Sequence, residues 1–272
     1  MRLNAANYYT PEMNMEYCSA SQWKSFNGYP LEHGCECRAM AELCGDYAPD
    51  VSKAFLIGSI LDSLWEGLTS DQLADKFPEC VSTRGATKGE LKAEYKQAFK
   101  LYERTLQDKK FCQYMSGDKQ VIMTGTIADL PFKIKMDSFA DGVAIVDLKT
   151  TADMDKWYYI PDSGERLRFP IAYGYDLQLA IYREIVRQNT GDTLDCYIAA
   201  VDKREHPVTR IINMDARILD DALETVKHGC QRIISLKTGE IEPVDRCEIC
   251  DYCRDTYESK VISLSEYSNH DE

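Results

Sequence analysis

The sequence contains no hydrophobic run long enough to cross a membrane. Its most apolar stretches, such as Ala54 to Leu61 and Cys196 to Val201, fall far short of the roughly 20 residues that a membrane-spanning helix needs. The first ten residues, Met1 to Thr10, include no apolar segment typical of a secretion signal. These absences predict a cytosolic protein that does not insert into a membrane.

Positive charge is also scarce. The chain carries 32 lysines and arginines against 45 aspartates and glutamates, which gives a formal charge of −13 at pH 7. Non-specific affinity for DNA comes mainly from basic residues that neutralise phosphates, so any contact with DNA must be local. The phosphate-binding motif G-x-x-x-x-G-K-[ST] does not occur, and the chain therefore encodes no ATP-driven motor of that type.

The composition that remains, 44% hydrophobic and 28% charged residues in a chain of 272, is typical of a globular protein. Apolar residues recur at three- and four-residue intervals in the first 115 residues and predict helices, including a long amphipathic helix from Lys88 to Met115. Towards the carboxyl end, the pattern predicts a helix from Tyr173 to Gln188, a buried strand from Leu194 to Val201 and a last long helix from Ala216 to Leu236. Thr209 to Met214 is a candidate for a further strand.

Between these regions the period of the pattern changes. Three short runs rich in β-forming residues are separated by turn residues, which is typical of a meander; they are Val121 to Ile127, Phe132 to Asp137 and Val143 to Lys149. Helices followed by strands, a helix and another strand predict an α/β fold, with one mixed central sheet flanked by helices.

The strongest chemical signal is a group of carboxylates and a lysine on this predicted meander. Asp147 and Lys149 are two residues apart on a strand, so their side chains share a face. A three-residue hairpin loop with Gly142 in the left-handed conformation would place Asp137 across from Ile145, on that same face. Two carboxylates about 7–8 Å apart can share one hard cation such as Mg²⁺ or Mn²⁺. The alternative to a metal site is a surface strand on which Asp147 and Lys149 form an ordinary salt bridge.

The order and spacing of these residues resemble the signature of the PD-(D/E)XK nuclease superfamily. Asp137 precedes Asp147-Leu148-Lys149 by nine intervening residues, and Gln178-Leu179-Ala180-Ile181-Tyr182 further along resembles the Q-x-x-x-Y motif of the RecB and RecE branch. The stretch Asp147 to Asp153 is similar to RecE-type phage exonucleases such as exonuclease VIII. The resemblance implies a restriction-endonuclease-like fold.

The same resemblance implies roles for individual residues. Asp137, Asp147 and the backbone carbonyl of Leu148 would hold Mg²⁺ or Mn²⁺, and Lys149 would assist catalysis. Relatives commonly place a histidine ligand on an upstream helix, and Asp62 stands at that position here. We expect Asp62 to supply a further oxygen ligand, against the alternative of a helix-surface aspartate.

The resemblance also implies a second set of residues, which would contact DNA. Gln178 and Tyr182 are one helical turn apart and would support the catalytic site and the strand beside it. Lys203 resembles a basic residue that follows the corresponding strand in relatives, although a solvated lysine would look the same. The local basic cleft would include five residues: Lys133, Lys135, Lys149, Lys203 and Arg204.

Eleven cysteines, an odd number, without an export signal argue against a disulfide scaffold. Cys247, Cys250 and Cys253 form C-x-x-C-x-x-C, which resembles the runs that hold iron–sulfur clusters. Cys35 is the preferred fourth ligand, because some AddB-type and CRISPR-associated nucleases of the superfamily join their two ends through one [4Fe-4S] cluster. Tetrahedral Zn²⁺ is the alternative metal. Two cysteines are alternative fourth ligands, Cys37 and Cys230.

We expect residues 1–272 to form one nuclease domain with an N-terminal helical part (1–115), a nuclease core (116–240) and a cysteine-rich tail (241–272). The resemblance implies a metal-dependent DNA exonuclease that resects linear duplex ends from the 5′ strand for phage-type recombination. It also implies a strand-annealing partner and a homo-oligomer, since relatives form rings. Two alternatives are an iron–sulfur nuclease of the CRISPR-adaptation type and a non-catalytic module that binds DNA or protein.

Overall fold

The computed structural model describes residues 3–93, 95–161, 163–244, 246–259 and 261–264, so residues 265–272 of the predicted tail lie outside the described part. Seven helices precede the first strand: α1 (Pro11–Glu16), α2 (Ala20–Asn27), α3 (Glu36–Cys44), α4 (Lys53–Trp65), α5 (Ser70–Lys76), α6 (Gln97–Leu106) and α7 (Lys109–Tyr114). A 3₁₀ turn spans Pro78–Cys80. None of the helices in the described ranges is long and apolar enough to cross a bilayer.

Eight strands and four more helices follow. The strands are β1 (Val121–Ile127), β2 (Leu130–Met136), β3 (Ser138–Ala140), β4 (Ala144–Thr151), β5 (Trp157–Tyr159), β6 (Arg166–Arg168), β7 (Asp195–Asp202) and β8 (Thr209–Met214). The helices are α8 (Phe169–Ala172), α9 (Tyr175–Thr190), α10 (Ala216–Thr238) and α11 (Asp251–Asp255).

The central sheet has the strand order β3-β4-β7-β8. Strand β4 runs antiparallel to β3 and parallel to β7, so the predicted mixed sheet flanked by helices is confirmed. The predicted single meander is wrong in one respect. The chain bends at Asp137, and among the described residues β2 pairs with β1 while β3 pairs with β4. Asp137 therefore lies where the chain passes from one sheet to the other.

The β3–β4 hairpin has a three-residue loop, Asp141 to Val143, with Gly142 at φ +65°. The left-handed glycine agrees with the prediction, but the predicted register is wrong. Phe139, rather than Asp137, lies across from Ile145, because Val143 belongs to the loop and moves the pairing by two residues. A shift of two preserves the face of each side chain, so Asp137 stays on the side of Asp147 and comes closer to it.

The predicted helix from Lys88 to Met115 is also wrong. Lys88 and Gly89 lie in a turn, Leu91 forms an isolated bridge with Val81, and the helical part is divided between α6 and α7 at Gln107 and Asp108. The Asp108 carboxylate accepts hydrogen bonds from the backbone N–H groups of Lys110 and Phe111, at 3.0 and 3.1 Å, and so caps a new helix. Apolar spacing continues through this break, which is why periodicity alone did not reveal it.

Two hydrophobic clusters occupy the two faces of the central sheet. Along β4, Ile145 packs into the cluster formed with α2, α9 and α10, whereas Val146 and Leu148 pack into the cluster formed with α4, α6 and α7. Strand side chains alternate between faces, so Asp147 and Lys149 lie on the face of Ile145, towards α9. The fold thus places the acidic and basic groups of β4 between the sheet and the helices of the first cluster.

Candidate active site and cysteine centre

Asp147 and Lys149 project together from β4. The Asp147 side chain is 2% exposed, and the Lys149 Nζ lies 2.5 Å from its Oδ2 atom. Burial alone would lower the pKa of Lys149, but the carboxylates of Asp147 and Asp137 raise it above its usual value. The lysine is therefore a firmly charged ammonium group that neutralises part of an acidic pocket.

Asp137 approaches the same strand from the bend between β2 and β3. Its Oδ2 accepts a hydrogen bond from the backbone N–H of Leu148 at 2.8 Å. Burial raises the pKa of Asp137 well above its usual value, and the neighbouring charges of Asp62 and Asp147 raise it further. The structure thus brings both predicted acidic residues and Leu148 into one cluster.

Asp62 faces this cluster from α4. Burial is the main reason that its pKa rises to about 6, and the nearby charge of Glu66 adds to the effect, while Lys149 and Lys135 oppose it. An aspartate on an open helix surface would not experience such a change. The structure therefore places Asp62 with the other two carboxylates, although its sequence context gave only a weak indication.

Two side chains of α9 support the cluster from behind. The Gln178 amide donates to Asp147 Oδ1 at 2.8 Å and lies 3.2 Å from the Tyr182 hydroxyl, which donates to the carbonyl of Lys135 at 3.1 Å. One chain of hydrogen bonds thereby links β4, α9 and β2. Because the Gln178 amide and the Tyr182 hydroxyl are both held by hydrogen bonds, the orientation of the Asp147 carboxylate is fixed.

Sequence reasoning missed two residues of this site, Lys24 and Tyr175. Burial, together with the charge of Lys149, lowers the pKa of Lys24 to about 8. Its ammonium lies 5.5 Å from the centre of the Tyr175 ring, and that of Lys149 lies 4.9 Å from the same ring, a geometry typical of cation–π contact. No motif marks Lys24, because α2 joins the site only through folding.

These groups line an open cleft of about 1160 Å³. Gln178, Tyr182 and Lys203 line it, and the Lys203 Nζ lies 3.2 Å from Thr150 Oγ1. Of the five residues expected in a basic cleft, Lys135, Lys149 and Lys203 line it. Lys133 also borders it, but this lysine is only 1% exposed, and its ammonium donates to the carbonyl of Tyr8 and to Asn14 Oδ1. Arg204 does not line the cleft, and its guanidinium pairs with Asp202, Asp153 and Asp155.

The acidic cluster has the donor chemistry that a hard divalent cation requires. Three carboxylates with one ammonium leave an excess of negative charge in a desolvated pocket, where burial first and the neighbouring acidic groups second raise the pKa values of Asp62 and Asp137. A divalent cation would remove it. Within the described ranges, only a group of cysteines has three or more potential ligand atoms within 4.8 Å of one another. The three carboxylates are thus spaced more widely than the four thiols.

The cysteine group consists of Cys35, Cys247, Cys250 and Cys253, whose sulfur atoms all lie within 4.8 Å of one another. Cys35 precedes α3 and lies 3.6 Å from Cys253, measured between sulfur atoms. Hydrogen bonds from backbone N–H groups outweigh burial and lower the pKa of Cys247 to about 6, whereas burial raises that of Cys250 to about 12. Four thiols on two distant segments thus form a site suited to a metal.

Cys37 and Cys230, the two alternative fourth ligands, lie outside the cysteine group. The Cys37 thiol contacts the carbonyl of Val244 at 3.0 Å. Cys230 is buried within α10, and its thiol contacts the carbonyl of Val226 at 3.1 Å. Neither belongs to the group of four.

A mixed sheet that carries D-x-K on its central strand, a second aspartate at the adjoining bend and a glutamine-tyrosine pair on the next helix defines a protein of the PD-(D/E)XK class. A family model described as "PDDEXK-like domain of unknown function (DUF3799)" matches residues 19–256, and the chain belongs to this family. The predicted membership of the superfamily is confirmed.

Comparison with solved structures agrees with this family assignment. The crystal structure of a "Putative exonuclease" from Eubacterium rectale is similar over 99% of each chain, with 43% sequence identity and a TM-score of 0.91. The structure of SSO0001 aligns with 70% of this chain and 82% of its own, at 10% identity and a TM-score of 0.29, which is too low to support any argument. No curated protein matches the chain significantly.

Proposed function

We propose that the protein is a metal-dependent DNA exonuclease. The observation that carries this proposal is the convergence of Asp62, Asp137 and Asp147 with Lys149 at the floor of a lysine-lined cleft. The similarity to the Eubacterium rectale protein supports exonuclease activity over other nuclease activities. The negative net charge of the chain does not exclude DNA binding, because the cleft lining is locally close to neutral: six basic side chains face six acidic ones there. A divalent cation at the three aspartates would make the cleft positive.

Three carboxylates, together with the backbone carbonyl of Leu148, would hold Mg²⁺ or Mn²⁺. When bound, such an ion polarises a phosphoryl oxygen and lowers the pKa of a bound water. The ion would also compensate the burial, and to a smaller extent the neighbouring carboxylates, that raise the pKa values of Asp62 and Asp137. We therefore expect metal binding and carboxylate deprotonation to be linked.

The protein's own side chains would position the reacting groups and stabilise the charge that develops during hydrolysis. Lys149 stabilises negative charge on the phosphate and orients the attacking water. Gln178 and Tyr182 keep the Asp147 carboxylate in place, and they border the path of the DNA strand. Lys203, at the end of β7, contacts a phosphate.

The finer proposal is a RecE-like activity: resection of linear duplex ends in the 5′-to-3′ direction, for phage-type recombination, with a strand-annealing partner and a ring-shaped homo-oligomer. It rests on the D-L-K-T-T-A-D and Q-L-A-I-Y stretches of the sequence. An iron–sulfur nuclease of the CRISPR-adaptation type would share the cysteine centre and remains the alternative enzyme.

The test uses the protein as purified, with its cysteine-bound metal, on linear and closed circular duplexes of one sequence. We expect Mg²⁺ or Mn²⁺ to support digestion of the linear form only, and a 5′ label to be released before a 3′ label. Lys149→Ala should reduce the rate at least 100-fold, whereas Lys88→Ala, at an exposed turn, should not. Absence of digestion, or digestion unchanged in Lys149→Ala, would contradict the proposal and favour a non-catalytic binding module.

For the cysteine centre we propose a single tetrahedral Zn²⁺ ion. With Zn–S bonds of about 2.3 Å, the sulfur atoms of a tetrahedral site lie about 3.8 Å apart, and the spacing of Cys35 and Cys253 is 3.6 Å. In a [4Fe-4S] cluster each thiolate binds a different iron, so the sulfur atoms lie about 6 Å apart. The compact group therefore favours zinc, and [4Fe-4S] becomes the alternative.

A further inference from the structure

Strands β5 and β6 form a two-stranded ribbon whose two faces differ. Tyr158 and Leu167, paired across the ribbon, turn towards the first hydrophobic cluster. The outer face carries two aromatic and two basic side chains, with Trp157 across from Arg168 and Tyr159 across from Arg166. Trp157 and Tyr159 are 54% and 59% exposed, so two large aromatic rings lie at the surface beside two arginines.

The charge of this outer face is opposite to that of the whole chain. Within the described residues, Arg166 and Arg168 form no ion pair with a carboxylate. The nearby Asp155 carboxylate is already paired with Arg204 and Arg210. The ribbon therefore offers free positive charge on a protein whose net charge is −13, which suits an anionic partner.

The aromatic rings are also held in place before any partner arrives. The guanidinium of Arg168 lies 4.0 Å from the centre of the Trp157 ring, and it donates a hydrogen bond to the carbonyl of Asp155. A flat ring fixed in this way loses little conformational entropy when another flat group stacks on it. Unpaired nucleobases are flat groups of this kind and are attached to phosphates.

The inner face of the ribbon packs against aromatic residues that line the cleft. Tyr158 contacts Tyr173 with ring centres 5.2 Å apart, and Tyr173 stacks on Tyr175 at 6.0 Å. The Tyr175 ring in turn lies under the ammonium of Lys149. The inner face of the ribbon is thus anchored to aromatic residues that line the cleft, whereas the outer face lies on the other side of the same two strands. A DNA strand that leaves the cleft past the edge of the ribbon would meet the outer face.

We propose that the outer face of the β5–β6 ribbon binds unpaired bases of the DNA strand that enters the cleft. Trp157 and Tyr159 stack on bases, and Arg166 contacts a phosphate. This inference rests on the proposed nuclease function and adds a preference for ends with a single-stranded segment. A second copy of the chain is the competing occupant of this face.

The experiment measures binding without added divalent metal, so that no hydrolysis occurs. The probes are a fluorescein-labelled oligo-dT and an abasic oligonucleotide of equal length, followed by fluorescence anisotropy and by tryptophan emission. Trp157 is suited to this readout, because Trp23 and Trp65 pack into the two hydrophobic clusters. We expect oligo-dT to quench the emission of the wild-type protein and the abasic strand to leave it nearly unchanged.

Substitutions then separate stacking from charge. Trp157→Ala should raise the Kd for oligo-dT roughly tenfold, in the range of base–aromatic stacking, but not that for the abasic strand. Trp157→Phe should retain most of the affinity and lose the quenching. Arg166→Ala should reduce the slope of log K against log salt by about 0.7, whereas Arg187→Ala, whose guanidinium already pairs with Glu184, should not.

Several results would overturn the inference. They are equal losses of affinity for both probes in Trp157→Ala, unchanged affinity for oligo-dT, and a smaller oligomer in sedimentation without any change in binding. The last result would assign the face to a second copy. Digestion of linear duplex is measured separately with Mg²⁺, so failure of the nuclease proposal and failure of the ribbon proposal give different patterns.

Discussion

At the scale of single residues, Lys149 has two roles that can be separated. In the metal-free protein its ammonium compensates Asp147, which is almost completely buried. Removal of one partner from a buried ion pair leaves an unpaired charge that costs about 3–5 kcal/mol. The lysine therefore contributes to folding as well as to the proposed hydrolysis.

The first prediction uses Lys149→Met, which keeps most of the length of the side chain. We expect loss of nuclease activity and, without divalent metal, a free energy of unfolding reduced by about 3 kcal/mol. Added Mg²⁺ should stabilise this variant more than the wild-type protein, because the ion replaces the missing positive charge. Urea unfolding with and without Mg²⁺ measures both effects, with Lys88→Met as the matched control. Equal stabilisation by Mg²⁺ in the two proteins would contradict the account.

A second prediction concerns Asp62 and pH. Its pKa in the folded protein is about 6, above the usual value of 3.8, so between these values the folded state binds more protons than the unfolded state. The contribution to stability is therefore complete below about pH 4 and is lost as pH rises through 6. Asp62→Asn should remove this dependence. In metal-free buffer at pH 7 the variant should be more stable than the wild-type protein, by up to about 3 kcal/mol.

The measurement is urea unfolding from pH 4 to pH 7, with Asp141→Asn, at the exposed hairpin loop, as the control. The difference between Asp62→Asn and wild type should shrink towards pH 4 and should reverse when Mg²⁺ saturates the wild-type site. A difference that does not change with pH would show that Asp62 is not the group with the raised pKa.

Sequence analysis located some members of this site and necessarily missed others. Asp137, Asp147 and Lys149 could be identified because they lie close together in the sequence and because their spacing resembles a known signature. Lys24 could not, since it lies more than 100 positions away on a helix without a motif, and it meets Lys149 only because α2 packs against α9. Spacing in the sequence can identify site residues that are close together along the chain. A side chain from a distant helix can be assigned to the site only from the folded structure.

At the scale of elements, the β3–β4 hairpin decides how near Asp137 comes to Asp147. The loop length and the conformation of Gly142 were predictable, but the register was not, because Val143 is apolar and looks like a strand residue. In the structure Val143 is 69% exposed and belongs to the loop. The apolar pattern alone could not distinguish these two registers, since a shift of two residues leaves every side chain on its original face.

The third prediction tests the role of Gly142 in this hairpin. A Cβ atom at this position would meet no other atom within 4 Å, so the cost of Gly142→Ala comes only from its φ of +65°. We expect a loss of about 1 kcal/mol in the free energy of unfolding, and a smaller loss for Gly142→Asn, because asparagine tolerates this region better. Urea unfolding measures the two variants. A loss well above 2 kcal/mol in the alanine variant would mean that the hairpin changes its register.

At the scale of the whole molecule, the cysteine centre joins two ends of the chain. Cys35 and Cys253 are separated by 218 positions, and the Tyr47 ring, just after α3, contacts the Tyr252 ring in α11 at 5.2 Å. The sequence predicted a metal from C-x-x-C-x-x-C and offered three cysteines for the fourth position. Only folding distinguishes them, because their positions relative to the tail depend on how α2, α3 and α10 pack.

The centre is also the main attachment of a segment with few other contacts. Of the described tail residues after α10, Cys253 is fully buried, whereas Ile249 and Tyr257 are exposed. A segment with so little buried apolar area cannot offset the entropy lost on ordering. The thiol ligands must therefore supply the free energy that holds the tail against α3, and binding of the metal is coupled to this local folding.

The last prediction follows from that coupling. Cys250→Ser should release the tail, lower the melting temperature and expose the segment around residues 246–256 to trypsin, whereas Cys112→Ser, at a thiol outside the group, should do neither. Elemental analysis should find one zinc per wild-type chain and less than one in Cys250→Ser. Four irons per chain with absorbance near 400 nm, an approximate value for thiolate-to-iron charge transfer, would instead establish the cluster. A metal-free wild-type protein with a protease-resistant tail would contradict both assignments, because the thiols would then hold the tail without a ligand.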